Sequence, residues 1–171
     1  MDLAILIALG VMPALVIVGG LNDLLTMKIP NWISVVLVLL FFPVALLAGL
    51  GPTALAIHVG IGLAALFIGA GMFALRWIGG GDAKLIAASC LWLGLAGSGM
   101  FLLWTGVVGG IFCLFLMMAR QHLQMVTPYA PAWASRLLEP KGDIPYGVAI
   151  AIGALLAFPN ADLMQAFALI Q

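Results

Sequence analysis

Residues 83–119 read AKLIAASCLWLGLAGSGMFLLWTGVVGGIFCLFLMMA. The run carries one charged side chain, Lys84 at its second position, and no Asp, Glu or Arg. As a continuous helix rising 1.5 Å per residue it would measure about 55 Å. The hydrocarbon core of a bilayer is only about 30 Å thick, so the run is too long for one crossing and suits two. Gly97-Ser98-Gly99 is its strongest turn signal. The expectation is one span over 83–97 and a second over 100–119.

The same apolar character extends in both directions. Of 171 residues, 65% are hydrophobic and 7% charged, whereas a soluble domain carries about 25% charged residues. Three earlier runs suit spans of about 20 residues, at about 3–22, 32–50 and 53–77, the last two separated by the turn Gly51-Pro52-Thr53. Met1-Asp2 supplies no basic leader, and the first run continues to Leu21, so it reads as a retained span and not as a cleaved signal. A sixth span begins near Tyr146. Pro159-Asn160 and Asp162 interrupt its far end, leaving a kinked continuation or an interfacial piece as alternatives. The expected fold class is therefore all-α: a polytopic protein of six transmembrane helices in the lipid bilayer, forming one domain over residues 1–171.

Composition also excludes several classes. Six Lys or Arg balance six Asp or Glu, which leaves no basic footprint for a nucleic-acid partner. The apolar excess excludes disorder. Cys90 and Cys113 lie inside apolar runs and read as small buried hydrophobes, not as a disulfide framework.

The charges set the expected orientation. Asp23 and Lys28 follow span one, and Arg76, Asp82 and Lys84 follow span three. Arg120, Arg136, Glu139, Lys141 and Asp143 follow span five, whereas Asp2 and Asp162 fall on the opposite side. Cationic residues mark the cytoplasmic side. Both termini are therefore expected outside, with loops one, three and five inside. The segment at about 120–145, broken by Pro128, Pro131 and Pro140 and carrying Trp133, Leu137 and Leu138, reads as a cytoplasmic or interfacial loop at headgroup level.

Two aspartates then stand out. Asp23 ends span one and Asp82 begins span four, on the same expected face of the membrane. Ionisable residues at the edge of a bundle are costly, which makes them functional candidates. The plain alternative for Asp82 is a helix N-cap. Against it stands the run Gly79-Gly80-Gly81, which removes side chains beside the carboxylate and admits a close backbone, as an extended peptide substrate would need. Two adjacent carboxylates cannot both ionise easily, so one acts as acid and the other as base. Such a pair activates water against a peptide carbonyl without metal or organic cofactor.

Asp23 followed by Lys28-Ile29-Pro30-Asn31, then Gly79-Gly80-Gly81-Asp82-Ala83-Lys84, then Ile144-Pro145-Tyr146-Gly147, resembles the GxGD-type prepilin peptidases over essentially the whole chain. The resemblance implies that Asp23 and Asp82 are the catalytic pair and that Gly79, Gly80, Gly81, Lys84, Pro30 and Asn31 support the motifs. It also implies cleavage of a short basic leader from pilin precursors at the cytoplasmic face of the cell (inner) membrane. Larger members carry a cytoplasmic insert with paired CxxC motifs and also methylate the new N-terminus. This chain has no such insert and looks more like the compact peptidase of Flp-type (tight-adherence) pili, so methyltransferase activity is not expected; the archaeal preflagellin peptidases are also similar.

The remaining polar residues divide between packing and function. Lys84 snorkels to headgroups or holds an acidic group of the substrate, and Lys28 is similar. Asn22 suits helix packing, and Asn31 after Pro30 suits a cap of span two. Asp143 and Tyr146 line the site or lie in a solvated loop. His58, near the outer end of span three, reads as a packing histidine. Neither His58 nor His122 belongs to an H-E-x-x-H zinc motif. Ser98 has only His58 as a potential base, a weak basis for a serine protease. The rivals from other classes are a proton-coupled transporter, whose site would lie nearer the midplane, and a structural membrane subunit.

Overall fold

The computed structural model describes residues 3–123, 129–140 and 142–169, and among these every regular element is helical. Asp2 and Lys141 lie outside the described residues. The helices are α1 (Leu3–Thr26), α2 (Asn31–Leu47), α3 (Pro52–Ala74), α4 (Gly80–His122), α5 (Ala132–Leu137), α6 (Gly147–Ala157) and α7 (Asp162–Leu169), with a 3-10 turn at Phe158–Asn160 between the last two. The segments Pro52–Ala74, Gly80–His122 and Gly147–Gln165 are long and apolar enough to cross a membrane, and Gly10–Thr26 and Asn31–Leu47 are shorter apolar helices.

The long apolar run does divide, but not at Gly97-Ser98-Gly99. Gly94 adopts φ 70°, ψ −166°, a region essentially reserved for glycine. It splits α4 into a first arm, residues 80–93, and a second arm, residues 95–122. The reason for the difference lies in packing. Gly97 remains helical because its bare face lets Ala161 approach: a Cβ there would stand 3.3 Å from the Ala161 Cα. Ser98 is helical as well, and its hydroxyl donates to the Cys90 carbonyl across the break at 3.3 Å. With α1, α2, α3 and α6, the two arms make six rods among the described residues, beside the shorter α5 and α7.

Two other boundaries shift with consequences for chemistry. α1 continues four residues past the expected end at 22, so Asp23 lies in its last turns and not in a loop. α4 begins at Gly80, which brings Asp82 into its first turn. The core is built around the first arm: Leu85, Trp92 and Leu93 are fully buried together with Val16 of α1, Leu37 and Phe41 of α2 and Ile150 of α6. The Trp92 indole N–H donates to the Leu37 carbonyl at 2.9 Å, satisfying its one polar atom. α3 runs antiparallel to this arm, with Gly69 against Ala83 and Gly62 against Leu91. Small residues permit such close approach of helices in membranes. Outward faces carry Leu39, Phe67, Ile111 and Phe115, all more than half exposed, a surface suited to lipid.

Candidate active site

The ends of α1, α4 and α6 meet because glycines let them. A Cβ on Gly20 would stand 2.9 Å from the Ala151 Cβ and 3.0 Å from the Gly147 carbonyl oxygen, so α1 and α6 touch nearly backbone to backbone. Gly19 faces Leu85 of the first arm. Less than one turn further, Asp23 is buried and its Oδ2 accepts the Gly147 amide at 2.8 Å. That amide is one of the unsatisfied donors at the start of α6. A Cβ at position 147 would lie 2.8 Å from the Asp23 Cβ and 2.9 Å from its Oδ2, which explains why glycine stands there.

Asp82 is half-buried. Its Oδ2 accepts the Gly79 amide at 3.2 Å, the reciprocal half of a capping box. The expected cap role is therefore real, but it falls on the third residue of the helix and leaves the carboxylate in the same cleft as Asp23. That cleft has a volume of about 1220 Å³ and is lined by Asp23, Asp82, Gly79, Asp143 and Tyr146, among others. Asp82 lies within electrostatic range of both Asp23 and Tyr146. Each aspartate is thus fixed through one oxygen by a backbone amide, and both open into one space.

The other expected residues separate. Gly80 and Gly81 are outside the cleft lining, and the close approaches they permit are made by the chain itself. The Phe73 ring lies 3.3 Å from a Cβ built at Gly80, and the Ile29 Cβ 3.0 Å from one at Gly81. Pro30 occupies the N-cap position of α2 and has no side-chain cap bond, so Asn31 does not cap that helix. Instead its Oδ1 accepts the Lys84 ammonium at 2.9 Å. Lys84 therefore ties α4 to the start of α2. Asn22 bonds within its own helix, where Thr26 Oγ1 donates to its Oδ1 at 2.9 Å. Cys90 is buried and Cys113 half-buried.

The segment after α4 is tethered to the cleft by Arg120. Its Nε donates to the Leu137 carbonyl and its Nη2 to the Asp143 carbonyl, both at 2.8 Å. These bonds hold α5 and the approach to Tyr146 against the end of the second arm. The Tyr146 ring rests on Gly109, where a methyl group would overlap it.

Residues 10–114, which include both aspartates, match the type IV leader peptidase family. The chain belongs to this family. No curated protein and no solved structure matches it. Family membership carries the hydrolase class and a prepilin-type substrate in a membrane setting. The match ends before Tyr146 and Gly147, yet Tyr146 lines the cleft and Gly147 holds Asp23 in it. Sequence reading named Tyr146 but gave Gly147 no role of its own. The only local signal was its place in Pro-Tyr-Gly at the start of an apolar run.

Proposed function

We propose that this protein is an aspartyl endopeptidase that removes the short basic leader from Flp-like type IV prepilins. The observation that carries the reading is that Asp23 of α1 and Asp82 of α4 open into one cleft in a chain of the type IV leader peptidase family. One aspartate, ionised, takes a proton from water as the water oxygen attacks the scissile carbonyl. The other, protonated, gives its proton to the carbonyl oxygen. The tetrahedral adduct collapses: the leaving nitrogen takes a proton from one aspartate as the C–N bond breaks, and a hydroxyl of the adduct returns its proton to the other, restoring the singly protonated pair. Anchoring each carboxylate by a backbone amide favours this chemistry, because the orientation is set before substrate arrives.

The shape of the cleft supports an apolar helical substrate. From the aspartates it continues between Ile68 and Ile61 of α3 and Leu102 and Leu95 of the second arm. A prepilin helix lying there would bring its charged-to-apolar junction to the dyad, with the basic leader beside Asp143. Six spans, both termini outside and the dyad at the cytoplasmic face of the inner membrane complete the reading. The segment 120–145 guides the leader, and no N-methylation follows cleavage.

The test is incubation of membranes containing the protein with Flp-type prepilin, followed by mass analysis of the product. The expected product begins at the charged-to-apolar junction and carries an unmodified amine. Intact prepilin of every type offered would overturn the substrate assignment.

A further inference from the structure

The break in α4 takes the Leu95 amide and the Leu91 carbonyl, among others, from their helical partners. In a continuous helix the Leu95 amide would bond the Leu91 carbonyl four residues earlier. The ψ of −166° at Gly94 turns that amide away. Both orphaned groups are met by side chains from elsewhere in the chain. His58 of α3, 1% exposed, places Nδ1 2.7 Å from the Leu91 carbonyl oxygen. A carbonyl only accepts, so Nδ1 carries a proton. Asp162, the first residue of α7, accepts the Leu95 amide on Oδ2 at 3.2 Å. The same Oδ2 stands 3.8 Å from His58 Nε2, an ion pair when the ring carries both protons. His58 Nε2 is buried and has no hydrogen-bond partner among the described residues. Phe41 stacks on the imidazole at 5.5 Å between ring centroids and holds its plane. A side chain at Gly94 would occupy the space of Asp162. His58 thus meets the Leu91 carbonyl and Asp162 the Leu95 amide, the two groups that one backbone hydrogen bond would join in a continuous helix.

The angle of the break matters because the cleft that holds both aspartates is lined from both arms. Asp82 stands on the first arm, about 18 Å from Gly94 at 1.5 Å per residue. Asp23 is held by Gly147 of α6, and α6 packs on the second arm through Thr105 against Gly153 and Gly109 against Tyr146. The cleft likewise has Ile86 and Cys90 of the first arm facing Leu95, Ser98 and Leu102 of the second. We propose that His58 and Asp162 are positioning residues that splice the broken α4 and set the angle between its arms, and hence the width of the substrate cleft. The functional part of this inference rests on the peptidase reading above; the geometric part does not.

The test uses Asp162→Ala, which removes the acceptor, and Asp162→Asn, which keeps an oxygen for the Leu95 amide. The first readout is the distance between spin labels at the exposed positions Trp77 and Leu114, in a Cys90→Ala, Cys113→Ala background. The expected result is one narrow distribution for the parent and for Asp162→Asn, shifted or broadened in Asp162→Ala. The second readout is KM for prepilin, expected to rise about tenfold in Asp162→Ala, the scale of one lost hydrogen bond to a charged group, and to stay within about twofold in Asp162→Asn. Loss of folded protein alone would lower the maximal rate at unchanged KM. If Asp162→Ala does not accumulate, His58→Gln takes its place with the same two readouts. Unchanged distance and KM in the disrupting variant would overturn the proposal, as would an Asp162→Asn variant that behaves like Asp162→Ala. If no prepilin is cleaved by the parent, the peptidase reading fails while the distance measurement still decides the splice.

Discussion

Gly147 shows how much of the site depends on one absent side chain. A methyl group there would meet the Asp23 Cβ at 2.8 Å and the Ile29 Cδ1 at 3.0 Å. Both contacts are with packed groups, and overpacking of this kind costs about 1–3 kcal/mol. Gly147→Ala is expected to displace Asp23 and to lower kcat/KM for prepilin by at least about tenfold, measured at matched membrane abundance. Lys84 tests the opposite case. Its ammonium bonds Asn31 at the exposed rim of the bundle, an interaction worth about 1 kcal/mol. Lys84→Met should therefore reduce thermal stability slightly and leave KM unchanged; a raised KM would return Lys84 to the substrate. The aspartates were legible in sequence because a carboxylate next to an apolar run is costly wherever it stands. Gly147 was not, because the value of a glycine depends on what approaches it, and its partner lies 124 positions away.

α4 is where local signals and tertiary packing disagree. The chain had to turn somewhere in residues 83–119, and bilayer thickness alone required it. Gly97-Ser98-Gly99 is the richer turn signal, yet the turn is at Gly94, between two leucines. The choice is made by His58 and Asp162, which accept the cost of the break by satisfying the groups it exposes. Those partners lie in α3 and α7, so no window around residue 94 contains the information. Ala at 94 would combine a left-handed φ, a strain of about 1–3 kcal/mol, with overlap on Asp162. Ala at 97 would meet the Leu93 Cβ at 3.0 Å and the Ala161 Cα at 3.3 Å with ordinary helical angles. Gly94→Ala is accordingly expected to lower the unfolding temperature in detergent more than Gly97→Ala does. The reverse order would place the essential break at Gly97 after all.

At the scale of the whole molecule, composition carried the all-helical class. The apolar run lengths predict an all-helical chain of six spans, and three of the described segments are long and apolar enough to cross a membrane. Bringing Asp23 and Asp82 into one cleft does not follow from them, since it depends on Gly19 and Gly20 docking α1 against α4 and α6. The molecule is thus a bundle whose close α1–α6 contact lies beside the buried Asp23, with a cleft leading away from Asp23 and the half-buried Asp82 between α3 and the second arm. The central claim is that these two carboxylates act together on a prepilin. It is tested most directly by cleavage of co-expressed Flp-type prepilin in membranes containing the parent, Asp23→Asn or Asp82→Asn at equal abundance. Each amide preserves shape and removes the acid–base function, so each variant is predicted to lose cleavage by at least about a hundredfold. Full activity in either variant would contradict the dyad.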